Sequence, residues 1–312
     1  MAEIAVIFPG QGSQYVGMAE DLCNKYAEAR EILNIADNTL GYKISEIMFR
    51  GPEEVLKSTV FTQPALLTAS TICWRLMQTE GVPTPSFAAG HSLGEYSALV
   101  ASESLSFEDA LKLVSKRGKL MEEAVPSGQG SMAAILGMSF EQVEDVCLRV
   151  NGVVEAVNYN CPGQVVIAGI RERVEEASAL ALKLGAKKAI QLNVSGPFHS
   201  NLMKPAAAKY ANELEKITIK KPKFPVVANL TAEVADAPQV IMNNLKMQIY
   251  NPVLWDMSMR RIIDAGISTF IEVGPSNVLA YLMKKIDKNI KVFNVGNVET
   301  LENTLKVIKE VS

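Results

Sequence analysis

The chain has 312 residues, of which 48% are hydrophobic, and 31 Lys and Arg stand against 34 Asp and Glu, for a formal net charge of −3. This length exceeds the usual size of a single domain and predicts one large domain with an insertion, or two domains. No basic block supports nucleic-acid binding, no apolar run reaches membrane-spanning length, and the four cysteines have neither zinc nor disulfide spacing. With no signal peptide evident at the N-terminus, we expect a cytoplasmic protein without a metal site or a membrane partner.

The first predicted strand, residues 4–8, is a continuous apolar run of the kind that a parallel sheet buries on both faces. A glycine-rich loop, Gly10-Gln11-Gly12-Ser13-Gln14, follows it. Its spacing is not G-x-G-x-x-G, and no Gly-Lys-Ser/Thr comes after it, so neither nucleotide loop is predicted. We interpret it as a loop that offers backbone amide donors at the carboxyl end of a central strand.

A second motif, Gly90-His91-Ser92-Leu93-Gly94, has the G-x-S-x-G pattern of a nucleophile elbow. A short apolar run at 87–89 precedes it, and a predicted helix follows it. Another helix is predicted earlier in the chain, over 62–80, with Pro64 near its first turn. Such a turn lifts a serine hydroxyl clear of the backbone and aims the first amides of the next helix at the same point. Because so short a pattern also occurs by chance, the strand–turn–helix setting carries much of the prediction.

Residues 106–124 predict a helix that Ser106 caps, and Arg117 falls on its apolar face between Leu113 and Leu120. A buried guanidinium needs a partner, because removing its charge from water costs several kcal/mol. Two interpretations stay open: a structural ion pair or a snorkelling side chain, and a clamp for a substrate carboxylate.

The middle of the chain predicts strands at 132–136, 153–159, 164–168 and 188–194 and helices at 139–149 and 171–184. That β-α-β-β-α-β order predicts a ferredoxin-like subdomain, which we place at residues 127–196. It would be inserted into a core formed by residues 1–126 and 197–312. Further alternating elements in the core (strands at 224–229, 269–273 and 290–295, helices at 202–216, 252–264 and 276–285) predict an α/β fold with a mostly parallel sheet.

Of the two histidines, His199 is the better candidate for a base. His91 is adjacent to Ser92, and neighbouring side chains at a sharp elbow point in different directions. His199 lies where the predicted insertion returns to the core, and an elbow serine needs a base. No Asp or Glu stands out as a third member, which leaves a backbone carbonyl or an amide side chain to orient His199.

Six segments together resemble the malonyl-CoA:acyl-carrier-protein transacylases of fatty-acid synthesis, in order and spacing and over nearly the whole chain. They are Gly10–Gln14, Gly90–Glu95, Lys116–Gly118, Gly196–His199, Gln248–Pro252 and Glu272–Pro275. The chain is similar also to the acyltransferase domains of polyketide synthases, although its compact length resembles the free-standing enzyme. The resemblance implies an α/β-hydrolase-like core with a ferredoxin-like insertion.

The resemblance also implies chemical roles. Ser92 would carry the malonyl group as an ester, with His199 as general base and acid, and Arg117 would pair with the malonyl carboxylate. The amides of Gln11 and Leu93 would form the oxyanion hole.

Two further residues take their roles from the resemblance alone. The region of Gln248 would support His199. In the related polyketide domains, a Phe before the histidine accompanies the choice of malonyl over methylmalonyl, and Phe198 matches it.

The implied substrates are malonyl-CoA and the phosphopantetheine thiol of an acidic acyl carrier protein, with no bound cofactor. A basic rim would then receive the carrier, and its candidates are Arg171, Lys187, Lys188 and Lys204, whose alternative is ordinary solvated charge. Two other functions compete: a serine thioesterase or esterase with the same elbow, and a non-catalytic acyl-group sensor.

Overall fold

The computed structural model describes residues 3–126 and 128–311. The strands are β1 Ile4–Phe8, β2 Phe87–Gly90, β3 Gly130–Leu136, β4 Val154–Cys161, β5 Gln164–Ile170, β6 Lys188–Gln191, β7 Val226–Val227, β8 Thr269–Val273 and β9 Lys291–Val295. The helices before β3 are α1 Glu20–Lys25, α2 Ala27–Leu40, α3 Ile44–Arg50, α4 Glu53–Lys57, α5 Thr59–Thr79, α6 Gly94–Ala101 and α7 Phe107–Glu123. Those after it are α8 Phe140–Arg149, α9 Arg171–Lys183, α10 Lys204–Leu214, α11 Pro238–Gln248, α12 Trp255–Asp264, α13 Val278–Ile286 and α14 Val298–Val311, with a short 3-10 turn at Asn201–Met203.

A five-stranded parallel sheet forms the larger unit, in the order β7-β2-β1-β8-β9. β1 lies at its centre and is buried along its whole length, as its continuous apolar sequence predicts. Phe8 pairs with Gly90, so β1 and β2 end at the same edge of the sheet. The glycine-rich loop after β1 and the turn after β2 therefore meet there.

A separate four-stranded antiparallel sheet, in the order β4-β5-β3-β6, forms the smaller unit together with α8 and α9. The predicted β-α-β-β-α-β order of elements is confirmed, and Ser139 caps α8 in a reciprocal capping box with Gln142. The predicted four-residue link after β4 is wrong, because β4 continues to Cys161 and the turn contains Pro162 and Gly163 alone. Backbone bonds between Val253 and the β4 residues Val157 and Tyr159 join the two units.

Two other local predictions are wrong for identifiable reasons. The predicted strand at 224–229 shrinks to Val226–Val227 at the sheet edge, because Asn229 turns toward the elbow of Ser92. Helix α5 begins at Thr59, so Pro64 lies inside it and offers no N–H to the carbonyl of Val60.

Gly118 determines how closely α7 approaches α5. A Cβ at Gly118 would lie 2.6 Å from the carbonyl oxygen of Thr59. This close packing holds the neighbouring Arg117 toward the core, where its side chain is 1% exposed. In the described part of the chain, all four cysteines are free and buried, and no helix is both long and apolar enough to cross a membrane.

Candidate active site

Ser92 occupies a tight turn between β2 and α6, as the G-x-S-x-G pattern predicts. Its φ of 51° lies in the left-handed region that non-glycine residues rarely adopt. The side-chain oxygen of Asn229 accepts the amide hydrogen of Ser92 at 2.7 Å, and the Asn229 side chain also donates to the carbonyl of Gly90 at 2.7 Å. Asn229 thus stabilises the strained turn through hydrogen bonds to both Gly90 and Ser92.

Three glycines allow the backbone segments at this edge to meet. A Cβ at Gly90 would lie 1.9 Å from the carbonyl group of Gly94, and one at Gly94 would lie 2.1 Å from the carbonyl oxygen of Phe8. A Cβ at Gly10 would lie 2.3 Å from the carbonyl oxygen of His91. These contacts involve backbone atoms, which have little freedom to move away. The glycines therefore fix the position of Ser92 relative to the end of β1.

We expect Gly90→Ala to lower the free energy of unfolding by at least about 3 kcal/mol, because the added methyl group overlaps backbone atoms. Urea denaturation measures the loss. Gly81→Ala is the control: a Cβ there meets nothing within 4 Å, although its φ is +80°. That substitution should cost only about 1–2 kcal/mol of backbone strain. An equal effect at both positions would contradict the steric account of the elbow.

His199 lies directly against Ser92. Its Nε2 is 2.7 Å from the Ser92 Oγ, and its Nδ1 is 2.8 Å from the backbone carbonyl oxygen of Gln248. A carbonyl oxygen only accepts, so Nδ1 carries the hydrogen and Nε2 presents a lone pair to the serine hydroxyl. The geometry is that of a serine–histidine pair whose third member is a backbone carbonyl, one of the two alternatives that the sequence left open.

Burial, and after it the positive charge of Arg117, lower the pKa of His199 to about 3. The imidazole is therefore neutral at physiological pH, the form that accepts a proton. The other histidine has a different environment: His91 Nε2 is 2.9 Å from the Asn160 side-chain oxygen, and its ring packs against Trp255.

Arg117 extends from α7 to the same point. One terminal nitrogen donates to the Gln248 side-chain oxygen at 2.8 Å and to the Ser92 Oγ at 3.3 Å. Its Nε has no hydrogen-bond partner among the described residues, and the guanidinium carbon lies 5.6 Å from the ring centroid of Tyr96. An almost fully buried cation whose direct contacts are neutral groups retains capacity for an anionic ligand. This arrangement favours the carboxylate clamp over a structural ion pair.

Gln248 connects the parts of the site. Its side-chain nitrogen donates to the carbonyl of Ser92 at 3.0 Å and to the Glu95 carboxylate at 2.8 Å, while its side-chain oxygen accepts from Arg117. Its backbone carbonyl accepts from His199. One residue at the end of α11 therefore contacts the serine, the arginine and the histidine.

The site opens into a cleft between the two units. Ser92, His199, Arg117 and Phe198 line it, together with Gln11 and Leu93, and the smaller unit contributes Met132, Asn158 and the segment after β6. The backbone amides of Gln11 and Leu93 have no hydrogen-bond acceptor within residues 3–126 and 128–311. Both amides are thus available at the edge where the serine lies.

The whole chain matches known proteins. A family model described as an acyl transferase domain matches residues 6–302. The chain belongs to this acyltransferase family. It is 47% identical to the malonyl CoA-acyl carrier protein transacylase of Bacillus subtilis, over 99% of this chain and 98% of that relative.

Solved structures of the same family agree with the fold. The malonyl CoA-acyl carrier protein transacylase of Coxiella burnetii superposes with a TM-score of 0.97 at 40% identity, over 98% of both chains. A malonyl-transacylase solved in complex with its type II PKS acyl-carrier protein gives a TM-score of 0.96 at 43% identity, over 98% of this chain and all of that one.

The structure brings together the candidate residues that the sequence singled out for the chemistry and specificity of the site: Ser92, His199, Arg117, Gln11, Leu93, Gln248 and Phe198. Sequence reasoning missed three others. Asn229 was assigned to a strand, and Gln63, which also lines the cleft, was one of many residues on a buried helix. Glu95 had a usable signal, since a carboxylate directly after the elbow glycine falls in the first turn of the following helix.

Proposed function

We propose that the chain transfers the malonyl group of malonyl-CoA to the phosphopantetheine thiol of an acyl carrier protein, through an ester on Ser92. One observation carries the proposal: the serine–histidine pair and a buried arginine converge on the same Oγ, at 2.7 Å and 3.3 Å. A nucleophile beside a fixed cation suits an acyl group that ends in a carboxylate. The names of the relatives and the complex with a carrier protein support the same activity.

In the first half-reaction, His199 Nε2 takes the Ser92 proton as Oγ attacks the thioester carbonyl. The tetrahedral intermediate collapses, its C–S bond breaks, and the CoA sulfur takes the proton from His199. In the second half-reaction, the carrier thiol gives its proton to His199 and attacks the ester, and that proton returns to Ser92 as the C–O bond breaks. In both half-reactions His199 transfers the proton, and the reacting substrate groups are the thioester of malonyl-CoA and the phosphopantetheine thiol.

The amides of Gln11 and Leu93 would form the oxyanion hole. Both lie beside Ser92, and both lack an intramolecular acceptor in the described part of the chain. The side chain of Gln11 is held by Thr59, whose hydroxyl lies 2.9 Å from the Ser195 hydroxyl. Fixed donors aimed at a developing oxyanion are typically worth about 10²- to 10³-fold each in rate.

Gln248 and Phe198 would support specificity. Gln248 holds one guanidinium nitrogen of Arg117 and the Nδ1 hydrogen of His199, so it fixes the acid-binding group relative to the base. Phe198 is buried in the wall of the cleft beside His199 and would limit the space for a branched acyl group.

The larger unit would correspond to an α/β-hydrolase-like core (residues 1–126 and 197–312), and the smaller unit to a ferredoxin-like insertion (residues 127–196). The first residue of that insertion lies outside the described residues. The elbow after β2 beside the central strand supports the core assignment. The order of the antiparallel strands, β6-β3-β5-β4, supports the ferredoxin-like assignment of the smaller unit: with its four strands numbered along the chain, it reads 4-1-3-2.

An acidic carrier protein would dock on exposed basic residues, in the cytoplasm. Lys187, Lys188 and Lys204 are exposed, and Lys204 Nζ lies 5.8 Å from the ring centroid of Tyr250, two residues beyond Gln248. Arg171 is a weaker candidate, because its Nε donates to the carbonyl of Gly128.

The function can be tested by measuring the mass of the intact protein after separate incubation with malonyl-CoA and with acetyl-CoA. Peptide mapping then locates the adduct, and addition of holo carrier protein shows whether the acyl group is transferred. We expect a malonyl adduct on Ser92 that moves to the carrier thiol. An adduct lost to water equally fast with and without carrier would instead make the chain a thioesterase. A stable adduct that never turns over would favour the acyl sensor.

The pH dependence of Ser92 acylation by acetyl-CoA should report His199. A base whose pKa is lowered to about 3 stays neutral and competent at every higher pH, so activity is lost only as pH falls toward that value. We expect a nearly constant acylation rate between pH 5 and 8. A rate that falls through an apparent pKa near 6.5, the ordinary value for histidine, would contradict the buried, neutral imidazole.

A further inference from the structure

Glu95 is a buried carboxyl group beneath the catalytic serine that the mechanism above does not use. It lies in the first turn of α6, and one of its oxygens accepts from the Gln248 side chain at 2.8 Å and from the backbone amide of Asn229 at 3.1 Å. These donors are neutral amides. The only cation whose field reaches Glu95 among the described residues is Arg117.

Gln248 lies between the two opposite charges. Its nitrogen donates to Glu95 and its oxygen accepts from Arg117, so one amide group is polarised from both ends. The pKa of Glu95 is raised to about 7, because burial raises it by more than the bonds from Asn229 and Gln248 and the charge of Arg117 lower it. The carboxyl group therefore titrates in the physiological range.

The other groups around Glu95 do not titrate there. Tyr96 on α6 and Tyr210 on α10 share a 2.7 Å hydrogen bond, and burial raises the pKa of both hydroxyls. His199 stays neutral, as described above. Strands β1 and β2 carry no titratable side chain, and burial raises the pKa of Cys73 on α5. The remaining ionisable groups of α5 and α11 are Arg75 and Lys246, which lie away from the buried site, and Lys246 pairs with Glu215.

We propose that Glu95 is the internal counter-ion of Arg117: at mildly alkaline pH it is ionised in the free enzyme and takes one proton from solvent when a substrate carboxylate binds the guanidinium. This inference rests on the proposed function, because it requires a carboxylate at Arg117. Two carboxylates sharing one buried guanidinium would leave an uncompensated negative charge, which is costly for groups as buried as Glu95 and Arg117. Protonation of Glu95 removes that charge, and the proton returns to solvent when the acyl group leaves. Glu95 is thus a positioning residue that acts through Gln248.

Because binding of a carboxylate is coupled to proton uptake by Glu95, the affinities for malonyl and acetyl substrates should depend differently on pH. At a pH above that at which free Glu95 titrates, malonyl binding must take up a proton, so its affinity falls by up to about tenfold per pH unit. Acetyl binding takes up no proton. The ratio of malonyl to acetyl acylation of Ser92 isolates this effect, because both reactions use the same serine and histidine.

Glu95→Gln tests the proposal, since glutamine keeps an oxygen for Gln248 and Asn229 but carries no charge. In the unsubstituted enzyme we expect the malonyl-to-acetyl ratio to fall about tenfold between pH 7 and 8.5. In Glu95→Gln the ratio should stay constant and should exceed the unsubstituted value at pH 8.5. A ratio that is constant in the unsubstituted enzyme would overturn the proposal and leave the transferase function intact.

Glu272→Gln is the matched control. Burial raises the pKa of Glu272 also to about 7, but its carboxylate accepts from the backbone amides of Leu279 and Ala280, at the start of α13 and outside the cleft. This variant should keep the pH-dependent ratio. If Glu95→Gln lost both acylations equally at every pH, Glu95 would be merely structural and the proposal would be wrong.

Proton uptake gives a second measurement without turnover. In lightly buffered solution at pH 8, mixing Ser92→Ala with malonyl-CoA should remove close to one proton per site from solvent, and acetyl-CoA should remove none. Malonyl-CoA that binds without proton uptake would overturn the counter-ion. Failure of malonyl-CoA to label Ser92 of the unsubstituted enzyme at any pH would instead overturn the proposed function.

Discussion

Replacing His199 with alanine should reduce acylation of Ser92 by about 10⁴-fold or more, with malonyl-CoA and acetyl-CoA alike. The 2.7 Å contact between Nε2 and Oγ is the route by which the serine loses its proton, and no other base contacts Ser92 Oγ within residues 3–126 and 128–311. Rapid-quench mass spectrometry of the acyl-enzyme measures the loss directly.

His91→Gln provides the comparison, because it removes the chain's other imidazole, at the position next to the serine. His91 bonds to Asn160, and glutamine can keep that bond, so the variant should lose far less activity. Equal losses in the two variants would mean that either ring can serve as base, which would contradict the assignment of His199.

Arg117→Ala should reverse the preference for malonyl over acetyl groups, with a change in the ratio of about 10²- to 10³-fold. Truncating one member of a buried charge pair costs about 2–5 kcal/mol, and malonyl transfer would lose this interaction. Acetyl groups make no such contact, so their transfer should change far less. Acylation rates with both thioesters, measured on the same variant, give the ratio.

Lys116→Ala is a matched control for Arg117→Ala. It removes the same charge from the adjacent position of α7, but Lys116 is exposed and Arg117 is buried. Its malonyl-to-acetyl ratio should stay within about twofold of the unsubstituted value, since exposed charges are strongly screened. An unchanged ratio in Arg117→Ala itself would remove Arg117 from carboxylate recognition.

The sequence predicted those parts of the site that depend on local chemistry. The Gly90–Gly94 turn was recognisable because glycine is required where backbone segments touch, and Arg117 stood out because a cation on an apolar helix face is costly. The central strand β1 was recognisable from its unbroken apolar run. These signals each lie within one element and need no knowledge of what packs against it.

Parts of the site that depend on long-range placement were not predictable. Asn229 follows an apolar segment typical of a strand, and its role appears only when the chain brings it back to Ser92, 137 positions away. The start of α5 was misjudged because Pro64 usually marks a first turn, whereas tertiary packing against α7 extends the helix to Thr59. The acceptor for His199 is a backbone carbonyl, which has no sequence signature.

That backbone carbonyl bears on which nucleophile can release the acyl group. A carboxylate acceptor would stabilise the imidazolium and strengthen the base, but Gln248 presents a neutral oxygen to Nδ1, and burial with Arg117 keeps the base weak. A weak base can still deprotonate a thiol, whose ordinary pKa is about 8.5, far more readily than water, whose pKa is about 15.7. We therefore expect the acyl ester, once it has formed on the Ser92 hydroxyl that lies 2.7 Å from Nε2, to react faster with a thiol than with water.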